Sequence, residues 1–192
     1  MLVGHANGGL AALYLAAFLE PKPTALVVID IEGRIPDEQV EYFRQRAAAV
    51  AWPRSLERIV ADMLQVDPCV PVATMRDYVR GLVRWVDYGF CLNLDPASYA
   101  SWRPENLEPH LGSITCPVMI VRGANSQVTT EEGAERLRKG LPRSRLITVE
   151  KAGHLLPISH AWELAGLIGL MADEFLPPRP HSSSSLRSQS TR

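Results

Sequence analysis

The chain has 192 residues, 46% of them hydrophobic, with 20 basic side chains against 21 acidic ones. That length is ample for one buried core, and the balanced charge gives no pull toward nucleic acid or an anionic membrane surface. The longest apolar stretches, 10–19 and 164–172, fall short of the about 20 residues that a bilayer span needs.

Residues 1–3 read as the stub of a buried strand, which a glycine-rich turn feeds into a helix over about 8–20. That helix, GGLAALYLAAFLE, is apolar nearly all round, as expected of a helix packed on a sheet. Pro21 and Pro23 end it. Residues 25–29 (ALVVI) are a continuous β-branched run, the pattern of a strand buried on both faces of a parallel sheet. The run stops at Asp30. From residue 36 to about 86 the pattern becomes amphipathic and helical. Pro36-Asp37-Glu38 is a good helix start, and helices are predicted over about 36–51, 55–64 and 73–86. Residues 87–110 read as loop-rich, with Pro96, Pro104 and the aromatics Tyr88, Tyr99 and Trp102. Sheet then resumes, with strands at 117–122 and 145–149 and helices at 130–139 and 161–175. The last stretch, 177–192, lacks apolar periodicity and is expected to be a disordered tail. This order gives an α/β fold class, the C-terminal half of a doubly wound, mostly parallel sheet with a helical insertion between two core strands.

Residues 2–9, LVGHANGG, carry the most informative motif. They resemble the nucleophile elbow of the α/β-hydrolase superfamily, G-x-S-x-G on a sharp turn from strand to helix. Gly4, Gly8 and Gly9 stand where such a turn needs residues without a side chain. The nucleophile position is Ala6, whose methyl group cannot attack a carbonyl. The resemblance therefore implies a hydrolase scaffold that is inactive as written. In the family the elbow follows earlier strands and a loop that lends one oxyanion-hole N–H. Here the chain opens on the elbow, and the expectation is a fragment with a misassigned start or a natural half-hydrolase. The resemblance runs through 1–176 and makes 33–110 a helical cap over the active site, set between core parts 1–32 and 111–176.

The same resemblance implies the other site residues. Lys151-Ala152-Gly153-His154, after a strand and before a helix, is where the family places its base. His154 would take the nucleophile's proton and hand it to the leaving group. The acid has two places. Most members have G-x-x-D after the strand that ends at Arg122, and a subgroup has R-G-x-x-S-D. This chain has Gly123-Ala124-Asn125-Ser126-Gln127, so Ser126 and Gln127 hold those positions without a negative charge. Other members put the acid after the strand that follows the elbow, where Asp30 stands with Glu32 close by, and Asp30 is the favoured choice. The oxyanion hole would use the Asn7 N–H.

Among the remaining candidates, His5 is read as shaping the turn, and His110 and His160 as structural or surface residues. Arg136, Arg138, Lys139, Arg143 and Arg145 are read as a solvated face. Trp52, Trp85, Tyr88 and Trp102 are candidates for pocket walls, with core packing the plainer use of most of them. Gly8-Gly9 lacks the G-K-[ST] of a phosphate loop. Three cysteines (Cys69, Cys91, Cys116) without C-x-x-C, and no H-E-x-x-H, point to no disulfide framework, no metal and no cofactor. No signal peptide is recognisable, which makes the cytoplasm the default compartment. The expected partner is a small ester-like or apolar molecule, not nucleic acid or membrane. An uncovered elbow strand adds a homo-oligomer, or a missing N-terminal half, as a means of covering it. The expected function is that of a protein related to serine esterases or to C–C and acyl hydrolases. A non-catalytic binding protein and a truncated fragment stand as the alternatives.

Overall fold

The structure, a computed structural model, describes residues 1–49, 53–93 and 95–177. Its elements are β1 (Leu2–His5), α1 (Asn7–Phe18), β2 (Leu26–Ile29), α2 (Asp37–Ala49), α3 (Leu56–Val66), α4 (Val72–Leu82), β3 (Val83–Val86) and β4 (Gly89–Leu92). They continue with α5 (Pro96–Ala100), a 3-10 turn (Glu108–Ser113), β5 (Val118–Gly123), α6 (Glu131–Gly140), β6 (Ser144–Val149), α7 (Leu156–Ser159) and α8 (Ala161–Phe175). One parallel sheet has the order β1-β2-β5-β6, and β3 and β4 form a separate antiparallel hairpin.

The apolar runs of β2 and β5 are explained by burial on both faces. Leu26, Val28, Val118 and Ile120 point to one side, against Leu10 and Leu13 of α1 and Leu137 of α6. Val27, Ile29, Met119 and Val121 point to the other, against Leu164 and Met171 of α8. Each aliphatic side chain fully buried this way contributes about 1.5–3 kcal/mol. Helix α1 is apolar all round, but only its sheet-facing residues are covered. Tyr14, Leu15 and Phe18 remain exposed, as does Val3 on the edge strand β1. No helix among the described residues is long and apolar enough to cross a membrane.

Register levels the sheet. His5 pairs with Ile29, Ile29 with Val121, and Gly123 with Val149, so the turns leaving all four strands converge at their carboxyl ends. In an open parallel sheet that edge is where ligands bind. A third apolar cluster, Ile59 and Val60 of α3 with Met75 and Val79 of α4, packs on Leu155 in the segment after β6. The region between β2 and β5 is thereby attached directly to the turn that carries His154.

The main departure from the sequence reading lies at 83–92. Helix α4, expected over 73–86, ends at Leu82, and the chain leaves it as the β3–β4 hairpin. Asp87 takes the left-handed conformation (φ 51°) that closes the hairpin, and Trp85 meets Phe90 edge-on at 5.0 Å. Arg54 adds two backbone bonds to Phe90, one in each direction. Short helical turns also form at α5, at Glu108–Ser113 and at α7, where loop was expected. Trp85 and Tyr88 are 62% and 82% exposed, so neither lines a pocket or packs in a core. Trp52, the predicted end of the second helix at 50–51, and the predicted tail beyond residue 177 lie outside the described residues.

Candidate active site

The elbow is held at both ends. Ala6 has φ 50° and ψ −123°, a left-handed conformation that costs a non-glycine residue about 1–3 kcal/mol. Its N–H donates to the Ile29 carbonyl at 3.0 Å, and its own carbonyl accepts from Gly9 and Leu10 at 2.8 and 3.1 Å. A Cβ on Gly4 would run into the Gly8 carbonyl, and one on Gly9 would press on Ile31 Cγ2 at 2.9 Å. Gly8 departs from expectation, because a Cβ there would meet nothing within 4 Å. Asn7 opens α1, so its N–H has no acceptor within the helix and lies at the positive end of the helix dipole.

Asp30, Ser126 and His154 come together from three different turns. Asp30 is fully buried and also left-handed (φ 50°), a conformation Asp tolerates well. Its Oδ1 accepts from the Gly123 N–H at 3.0 Å. Its Oδ2 accepts from the Ser126 hydroxyl at 2.6 Å and from His154 Nδ1 at 2.8 Å. Ser126 Oγ in turn accepts the Val128 and Thr129 N–H groups, both at 3.1 Å, which directs its single proton to Asp30. Because a carboxylate only accepts, Nδ1 of His154 carries the proton and Nε2 keeps its lone pair. The side chain that occupies the commoner acid position is therefore a donor that orients the acid at the other position. Gln127 is exposed and takes no part.

No family model matches the chain. Among curated proteins it is 29% identical over 167 residues to the sn-1-specific diacylglycerol lipase ABHD11 of Mus musculus, covering 80% of this chain and 52% of that protein. It is 25% identical over 163 residues to the esterase Rv0045c of Mycobacterium tuberculosis, covering 80% and 54%. Among solved structures, E-2-(acetamidomethylene)succinate hydrolase superposes with a TM-score of 0.78 at 23% identity, over 90% of this chain and 66% of that one. MenH from S. aureus gives 0.70 at 19% identity, over 91% and 68%. The chain has the α/β-hydrolase fold. It spans about half the length of the curated relatives it matches.

In this fold the elbow and the His154 turn face a chamber of about 110 Å³, with Asp30 buried behind His154. Asn7, Gln39 and His154 are its polar lining, while Ala6, Ile31, Phe43, Trp102 and Val128 supply apolar walls. Glu32 is buried but belongs to the framework. It accepts from the Thr130 N–H and hydroxyl at 2.8 and 2.9 Å and from Arg136 at 3.1 Å, which fixes the start of α6. Arg138 and Arg145 form surface ion pairs with Glu135 and Glu174, which solvent screens so that they add little to stability. His110 packs edge-on against Phe18, and His160 bonds Ser159. Among the described residues no group of three or more His, Cys, Asp or Glu is placed to hold a metal ion.

Sequence reasoning missed Asp67. It ends α3, is buried, and accepts the Leu155 N–H at 2.6 Å and the Cys69 N–H at 3.0 Å. A Cβ on Gly153 would collide with its carboxylate, so the glycine of A-G-H makes room for this brace. The available signal was an acid at a helix C-terminus, where the dipole disfavours it unless it has a specific partner.

His5 holds the other side of the same turn. Its Nε2–H donates to the His154 carbonyl at 2.8 Å, and the two rings lie 4.6 Å apart. Burial, and then the charge of His154, lower the His5 pKa below its usual 6.5; the bond to the His154 carbonyl and the Asp30 charge act the other way. The unfolded chain therefore binds a proton at His5 more readily than the folded one. This contribution is fully present above pH 6.5 and is lost as pH falls through the lowered folded value. Thermal melts between pH 7.5 and 5 should show His5→Gln losing less stability on acidification than the parent. Equal slopes for the two proteins would remove His5 from the account.

Proposed function

We propose that the chain is a binding site for a small, largely apolar ester or acyl compound, which it holds without covalent turnover because Ala6 replaces the nucleophile. The observation that carries this reading is the Asp30–His154 pair, joined at 2.8 Å beside an elbow that keeps its strained backbone. A strained residue at φ 50° and a buried carboxylate with three donors are both costly features, and here they flank a chamber with apolar walls. The relatives support the ester class, since one is a diacylglycerol lipase and the other an esterase. In chemical terms the site offers a proton acceptor at His154 Nε2, one N–H at Asn7 for a carbonyl oxygen, and no attacking group.

The reading is tested with p-nitrophenyl butyrate and the unaltered chain. Saturable stabilisation is expected, worth about 2.7 kcal/mol at a hundredfold excess over Kd. In a domain this large that is a rise of several degrees in Tm. No burst of p-nitrophenolate should accompany it. An unchanged Tm would overturn the binding reading, and a stoichiometric burst would overturn the absence of covalent turnover.

A further inference from the structure

His154 is the only ionisable side chain among the described residues that line the chamber beside Ala6; the others are Asn7, Gln39 and apolar or aromatic groups. Its ring is held through Nδ1, which donates to Asp30 Oδ2, and none of the described residues bonds Nε2. That nitrogen is within reach of a ligand. The described buried side-chain atoms that lack a partner are Gln39 Oε1, Arg44 Nε and Thr129 Oγ1, so the unbonded Nε2 lies at accessible surface. The His154 side chain is 11% exposed, and the residue lines this chamber.

A neutral imidazole with a fixed tautomer is a general base, and alanine at the elbow changes what it acts on. With a serine at position 6, Nε2 would be spent on the hydroxyl proton. With a methyl group there, the proton it meets is the ligand's own. The imidazolium that forms keeps a counter-charge, because the Asp30 carboxylate is fully buried 2.8 Å away. His5, stacked at 4.6 Å, adds no competing charge at neutral pH, since burial above all lowers its pKa below 6.5. The Asn7 N–H opens α1 in the same lining and is a donor for negative charge that moves onto a ligand oxygen.

Resting on the reading that small acyl compounds enter this chamber, we infer that the unaltered chain catalyses proton transfer from carbon acids, with His154 Nε2 as the base. The substrates are small, largely apolar carbonyl compounds with an acidic hydrogen on the carbon beside the carbonyl. Nε2 takes that hydrogen as a proton, the C–H electron pair becomes the C=C bond of an enolate, and the carbonyl π pair moves onto oxygen at the Asn7 N–H. The proton on Nε2 exchanges with solvent, and one returns to the same carbon. Atoms and electrons balance without a co-reactant, and the net change is isotopic exchange or inversion at that carbon.

The test follows deuterium exchange into the CH₂ group of nitroethane by proton NMR, with the unaltered chain in D₂O near neutral pD. Nitroethane is a compact carbon acid whose nitro group takes the charge on oxygen, as a carbonyl does. Exchange should saturate with nitroethane and run about 10²-fold or more faster than with the same concentration of free imidazole. His154→Gln, checked for an intact fold by circular dichroism, should return exchange to the protein-free rate. Asp30→Asn should do the same with the imidazole kept, because an amide N–H facing Nδ1 puts the imidazole proton on Nε2. Exchange no faster than with free imidazole overturns the base assignment; the ligand-binding reading then still stands or falls on p-nitrophenyl butyrate binding. Exchange that survives both substitutions places the base elsewhere and overturns the assignment alone.

Discussion

Serine at position 6 is expected to raise hydrolysis of p-nitrophenyl butyrate about 10³-fold over the Ala6 chain. The size follows from two opposing effects. Removing the nucleophile of a serine hydrolase costs on the order of 10⁶ in turnover. With the Asn7 N–H, which opens α1, as the one donor counted on to stabilise the oxyanion, the gain is reduced by the about 10²–10³ that a second donor is worth. The remaining machinery is in place. Ala6 holds the left-handed turn between strand and helix and lines the same chamber as His154, which has its proton on Nδ1, leaving Nε2 to receive the serine proton. The substitution adds one oxygen at a residue whose backbone is bonded at N–H and carbonyl, so the fold should not respond. Initial rates at several ester concentrations, with Tm measured alongside, decide the matter. A folded Ala6→Ser protein no faster than its parent would mean that the dyad is a structural remnant rather than a base awaiting a nucleophile.

Much of this arrangement is readable in the chain because it is local. The runs at 25–29 and 117–122 have no polar alternation, and both strands prove to be covered on both faces by α1 and α6 on one side and α8 on the other. The closing helix occupies the predicted 161–175, since its period is long and uninterrupted. The elbow and A-G-H were legible for a similar reason, because a turn that admits no Cβ at Gly4 or Gly153 must show itself as glycine. What escaped was set by partners far along the chain. The Val83-Arg84-Trp85-Val86 segment continues an amphipathic helix without a break in pattern, and it becomes strand through pairing with 89–92, with Arg54 bridging Phe90. Its turn uses Asp87-Tyr88, with no glycine or asparagine at the left-handed position to announce it. The acid stayed ambiguous for the same reason. Ser126 looks like a lost carboxylate until its hydroxyl is seen donating to a residue ninety-six positions earlier.

Asparagine at position 30, introduced together with Ala6→Ser, is expected to remove nearly all of the gained activity, a fall of about 10³-fold that returns turnover to the Ala6 level, since the same change in a complete triad costs about 10⁴. Asparagine suits the left-handed backbone at φ 50°, and its carbonyl oxygen can still accept the Gly123 N–H. The fold is therefore preserved and the loss is chemical. An NH₂ group in place of Oδ2 donates where the carboxylate accepted. His154 must then present Nδ1 as an acceptor and carry its proton on Nε2, where it cannot take one from serine. Ser126 must turn its hydroxyl away as well, because its oxygen already accepts from Val128 and Thr129. Turnover with p-nitrophenyl butyrate should fall while KM changes little, since Asp30 lies behind His154 and does not line the chamber. A double variant as fast as Ala6→Ser alone would take the orienting role from Asp30. The carboxylate would then be a framework group that ties Gly123 and Ser126 to the end of β2.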